Sequence, residues 1–281
     1  MRLGGRESRN VEDRRGSRMG GRGMAIGGGF GGIAILLIAL LFGIDPNELL
    51  QGTQPPPQQA QQRQMTAEDE AGRRFVAQVL GETEEVWRDE FARRGARYEE
   101  PTLVLFSGAT QSGCGFAQAQ VGPFYCPRDR RIYIDLDFMA DLQRRLRAGG
   151  DFAAAYIIAH EVGHHVQNLM GVLGRVEQAR RSQGEAAGNA MSVRVELQAD
   201  CLAGVWARRA HEARNILERG DIEEGINAAA AVGDDRLQRA GHGHVAPESF
   251  THGTSAQRVG WFRRGLESGR MEACDTFADP R

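Results

Sequence analysis

Residues 151–171 read DFAAAYIIAHEVGHHVQNLMG, and the fold is worked out from them. Apolar side chains recur every three or four positions, Asp151 stands where an N-cap belongs and Gly171 ends the run, so the spacing predicts an amphipathic helix. Within it lies HEVGH, residues 160–164. His160 and His164 are four apart, about 40° round a helix axis, so both imidazoles leave one face and can share one metal ion. Glu161 lies between them in projection, close enough to act on water at such a metal without being a ligand. His165 is turned about 140° from His160 and reads as packing or as support behind the site, not as a ligand. Gly163 leaves room for another segment to approach the helix.

Two histidines do not complete a zinc site. The longer pattern that adds a third histidine six residues on requires Gly at 167 and His at 170, and this chain has Gln167 and Met170. Further along, VELQADCLAGVW (195–206) puts Glu196 and Asp200 on one face of an Ala-rich helical stretch. Glu196 would complete a His₂Glu set, while Asp200 would accept the free ring N–H of a ligating histidine and fix its tautomer.

Outward from these helices, TLVLF (102–106) and RIYIDL (131–136) are short β-branched and aromatic runs, and GFAQAQVGPFYCP between them reads as a strand or hairpin. Phe75, Val79, Val86, Trp87 and Phe91 recur at helical spacing through 67–94, which predicts one or two helices. After 136, helices dominate to about residue 240. The fold class is α+β: a small β-sheet beside a mostly helical body. A substrate backbone would add to its edge, at either 115–121 or 131–136.

The chain has 281 residues and no lysine, so Schiff-base and P-loop chemistries lack their required residue. Residues 1–23 carry seven arginines against three acids, and residues 45–281 carry 28 arginines against 34 acids, so the body is no nucleic-acid footprint. Between Arg22 and Asp45 stand 22 uncharged residues, about 33 Å as a helix, which reads as one transmembrane helix over 24–44. The basic flank places 1–23 in the cytoplasm and the rest outside it. Residues 45–65 contain the Gln/Pro-rich QGTQPPPQQAQQRQ, a linker, and 66–281 form one domain. All four cysteines follow the apolar run. A local Cys114–Cys126 disulfide would stabilise the domain by about 3 kcal/mol, and Cys201–Cys274 would tie the C-terminus to the core.

Taken together, GCGFAQAQVGPFYCP, IYIDLDF, AHEVGHHVQ, SVRVELQADCLAGVW and FTHGTSAQRVGWF resemble the bacterial neutral zinc metallopeptidases, single-pass membrane proteins of the gluzincin type. The resemblance implies a zincin-like domain, Zn²⁺ held by His160, His164 and Glu196, Glu161 as general base and a polypeptide substrate. His252 and Arg258 look like the His-Pro…Arg segment of related membrane-embedded peptidases, with Gly253 in the proline's place, and imply a hold on substrate or oxyanion. His242 and His244 read as loop residues and His211 as a surface histidine. Two rival readings are a membrane-anchored assembly factor with a structural zinc site and a metal-dependent hydrolase of non-peptide bonds.

Overall fold

The computed structural model describes residues 1–15, 65–119, 122–137, 139, 150–242 and 244–278. The first long helix starts at a capping box. Thr66 Oγ1 accepts from the Asp69 N–H at 3.1 Å, and the Asp69 carboxylate accepts from the Thr66 N–H at 2.8 Å. One unbroken helix follows, α1 (Ala67–Arg93), which buries Val76, Val79, Leu80, Trp87 and Phe91.

A four-stranded sheet lies beside it, in the order β1 (Val11–Asp13), β2 (Thr102–Phe106), β6 (Arg131–Asp135), β5 (Phe124–Cys126). β1 and β6 run parallel to β2, and β5 runs antiparallel to β6. The register sets Leu103 beside Ile132 and Leu105 beside Ile134 on the face that joins the main core. Val104, Phe106 and Tyr133 point the other way, into a smaller cluster with Cys126. Both faces are therefore covered, which is why Leu103–Phe106 of β2 and Ile132–Ile134 of β6 are continuous apolar runs. A separate hairpin, β3 (Ala109–Ser112) and β4 (Gly115–Gln118), is tied to β5 by the Cys114–Cys126 disulfide.

The helical body comprises α2 (Asp151–Leu169), α3 (Val172–Ser182), α4 (Glu185–Arg214), α5 (Asp221–Ala231), α6 (Asp234–His242) and α7 (Ser255–Ser268). α4 and α7 touch backbone to backbone. A Cβ on Gly204 would lie 2.2 Å from the Phe262 carbonyl oxygen, and one on Gly265 would lie 1.9 Å from that of Cys201. The second expected disulfide, Cys201–Cys274, pins the turn Met271–Cys274 to α4.

Several expectations change. Asp151 is the first residue of α2, and the cap position belongs to Gly150 at φ 125. The 131–136 run cannot offer a substrate edge, because β6 is sandwiched between β2 and β5. Of 115–121, residues 115–118 form the second strand of the separate hairpin, so the antiparallel edge of the main sheet is β5. Residues 1–15 are no tail apart from the domain, since β1 lies in the domain's sheet. The expected transmembrane helix at 24–44 and nearly all of the linker at 45–65 fall outside the described residues, among which no helix is long and apolar enough to cross a membrane.

Candidate metal centre

The site forms where α2 lies against α4. Gly163 makes the approach possible, because a Cβ there would stand 3.0 Å from the Ala199 carbonyl oxygen and 3.2 Å from its Cα. With the helices this close, donor atoms of His160, His164 and Glu196 all lie within 4.8 Å of one another. His160 Nε2 is 3.2 Å from one Glu196 oxygen and His164 Nε2 is 3.5 Å from the other.

The opposite ring nitrogens are engaged elsewhere. His160 Nδ1 donates to Asp200 Oδ1 at 2.9 Å, since a carboxylate can only accept. His164 Nδ1 lies 2.9 Å from Gln167 Oε1. The Gln167 amide nitrogen already donates to the Val195 carbonyl at 2.7 Å and to Gln198 Oε1 at 3.1 Å, so its oxygen faces the imidazole and accepts. Each Nδ1 is thus held as an N–H by the group behind it, and the two Nε2 atoms converge beside Glu196 as the positions that would give up any proton to a metal.

Asp200 is wholly buried and saturated. It accepts from the Tyr156 hydroxyl, from His160, and from Arg258 twice, Nε at 2.8 Å and Nη2 at 2.9 Å. Burial alone would raise its pKa, but the Arg258 guanidinium and His160 outweigh that and hold it below the usual carboxylate value. Arg258 is only 3 % exposed. The expectation that it holds substrate or an oxyanion is therefore corrected, because its fork is spent on Asp200 and the Val232 carbonyl.

The site's electrostatics favour a cation. Burial pushes the His160 pKa down, yet Asp200 and Glu196 raise it to about 10. Burial likewise works to raise Glu196, but His164, His252 and His160 bring it well below its ordinary value. For Glu161 burial wins over the nearby histidines, and its pKa is raised. Glu161 is 7 % exposed, and its carboxylate makes no hydrogen bond among the described residues.

A family described as "Putative neutral zinc metallopeptidase" matches residues 1–277. The chain belongs to that family. It is similar to the uncharacterized protein YpfJ of Escherichia coli K12, 47 % identical over 281 residues, covering 98 % of this chain and 97 % of the relative. It also resembles the uncharacterized protein Rv2575 of Mycobacterium tuberculosis H37Rv, 49 % identical over 191 residues and 64 % of each chain. No solved structure matches it. Two imidazole nitrogens and a carboxylate, each imidazole held from behind, are the donor chemistry zinc takes, so the residues present fit the metal the family's description implies.

The structure brings His160, Glu161, His164, Glu196 and Asp200 together as their spacing predicts. His252 also reaches the site, close enough for its charge to act on Glu196. Its Nδ1 lies 3.2 Å from Asp234 Oδ1, and Asp234 Oδ2 accepts the backbone N–H groups of Thr251, His252 and Gly253 at 2.8, 2.6 and 2.9 Å. Gly253 has φ +87°, which proline cannot adopt, so the backbone here departs from the His-Pro…Arg segment. His165 is a packing residue as expected, bonded to the Tyr125 hydroxyl and the Glu99 carbonyl. His211 is part-buried, where a surface position was expected, and its Nδ1 accepts from the Leu217 N–H. Tyr156, Gln167 and Asp234 were not singled out from the sequence. Gln167 carried a signal, since it stands three residues from His164 on the same helix face.

Proposed function

We propose that this chain is a zinc-dependent peptidase that hydrolyses peptide bonds with Glu161 as general base. The observation that carries the proposal is the convergence of His160 Nε2, His164 Nε2 and the Glu196 carboxylate within 4.8 Å, each histidine locked from behind, beside an unbonded Glu161. Zinc bound there would supply the Lewis acidity that polarises a substrate carbonyl and acidifies water. Three protein donors leave a coordination position open, which favours an enzyme over a structural zinc site with a closed shell.

The chain's own residues divide the remaining work. Glu161 takes the proton of the attacking water and passes it to the leaving amine, a role suited to a buried carboxylate whose pKa is raised. His252, oriented by Asp234, presents its free ring edge to the oxygen of the tetrahedral species. Asp200 and Gln167 keep the two imidazoles from rotating, and Arg258 with Tyr156 keeps the fully buried Asp200 ionised. A substrate in extended form adds to β5, the antiparallel edge strand, which Tyr125 joins to α2 through His165 and Asn168. The two disulfides suit a domain that works outside the cytoplasm.

The test is Glu161→Gln in the full chain. It removes the base and touches no proposed ligand, so the variant is expected to hold zinc at wild-type stoichiometry while casein hydrolysis falls by about 10²–10⁴-fold. Undiminished hydrolysis by the zinc-loaded variant would exclude the mechanism.

A further inference from the structure

The segment before the apolar run is built into the same folded body as the metal site. Val11, Glu12 and Asp13 pair in register with Leu103, Val104 and Leu105. The Leu103 N–H donates to the Asn10 carbonyl at 2.8 Å and the Arg14 N–H to the Leu105 carbonyl at 2.7 Å. Upstream, the chain lies across α1. The Ser8 N–H donates to the Ala77 carbonyl at 2.9 Å, and a Cβ on Gly81 would meet the Arg6 carbonyl oxygen at 3.0 Å. Ser8 Oγ and Asn10 Nδ2 both donate to the buried Glu84, at 2.5 and 2.8 Å.

Several of the arginines that read as a cytoplasmic signal are held in ion pairs, three of them across this docking and two within the segment itself. Arg2 pairs with Glu218, Arg6 with Glu85, Arg14 with Glu12, and Arg15 with Asp13 and Glu70. The two ends of the stretch from 16 to 64 also leave from one place, because Arg15 Nη1 donates to the Asp69 carbonyl at 2.9 Å.

A strand cannot lie in a sheet on the far side of a bilayer. The 22 uncharged residues between Arg22 and Asp45 suffice for one crossing, not two, since each crossing needs about 20. The return stretch carries Asp45, Glu48, Arg63 and a Gln/Pro tract, whose backbone and side chains would find no partners in hydrocarbon. We propose that residues 1–15 and the metal-site domain lie on the same side of any membrane the chain meets. This replaces the expectation of a cytoplasmic N-terminus and a domain across the bilayer, and it is independent of the chemistry at the site.

The test uses the full chain with one added cysteine. Both native pairs are disulfides and no cysteine among the described residues is free, so an added thiol is the sole target. Arg9→Cys and Glu267→Cys are at exposed positions that make no hydrogen bond or ion pair. Each variant is treated with a membrane-impermeant maleimide in right-side-out and in inverted bacterial membrane vesicles. Both thiols are expected to label in the same preparation, at yields within about 2-fold of each other. Labelling of Arg9→Cys in one preparation and Glu267→Cys in the other would overturn the proposal.

Discussion

Replacing Arg258 by methionine removes the guanidinium that holds Asp200 with two hydrogen bonds of 2.8 and 2.9 Å, and leaves a carboxylate with no exposed surface. Removing one partner of such a buried pair costs about 3–5 kcal/mol, because the remaining charge has lost its solvent and its counter-ion together. A domain of this size loses about 2–4 °C of melting temperature per kcal/mol, so Arg258→Met should melt about 6–20 °C lower, read by calorimetry on the metal-free chain. Competition with a zinc chelator should show affinity weakened about 10–100-fold, the usual cost of disturbing a group behind a ligand. Adding Asp200→Asn to Arg258→Met removes the stranded charge and should restore most of the lost stability. An Arg258→Met protein with wild-type melting and zinc affinity, impaired in turnover alone, would refute this account and return Arg258 to the oxyanion.

Glu196→Ala should lose most bound zinc, measured by metal analysis after dialysis, since two donors make an incomplete chelate. Asp200→Ala should keep a weaker site, and the reverse pattern would transfer the ligand role to Asp200. Asp234→Asn weakens the grip on His252 and its loop, so kcat should fall about 10–100-fold with zinc content unchanged, checked by steady-state kinetics and metal analysis side by side. At the α4–α7 crossing, Gly265→Ala forces a Cβ to within 1.9 Å of the Cys201 carbonyl oxygen and should cost about 3 kcal/mol or more. Gly260→Ala on the same helix has nothing within 4 Å and should stabilise by about 0.5–1 kcal/mol, both read from urea unfolding.

The metal centre was legible because its key residues lie within single helices, where spacing alone decides which side chains share a face. His160 and His164 are one turn apart on α2, and Glu196 and Asp200 one turn apart on α4. The meeting of the two helices was foreshadowed by Gly163, whose missing side chain is filled by Ala199. The support around the site was illegible for the opposite reason. Arg258 reaches Asp200 from 58 residues away and Asp234 reaches His252 from 18, and neither type is rare enough to advertise its partner. β1 escaped notice because its three residues include Glu12 and Asp13, which show no apolar alternation, and its partner lies far along the chain. Positive charge in residues 1–23 suggested a free tail, whereas Arg2, Arg6 and Arg15 find carboxylates of the folded body only in three dimensions.

Val11 pairs beside Leu103, and the 92 residues between them (103 − 11) set a schedule during synthesis. At about 5–20 residues per second the first strand waits roughly 5–20 s before its neighbour has even been made. In that interval α1 is completed, and its Ala77 and Glu84 offer Ser8 and Asn10 their partners before the sheet exists. Slowing translation between residues 94 and 103 would lengthen the time in which docking on α1 alone holds the strand in place.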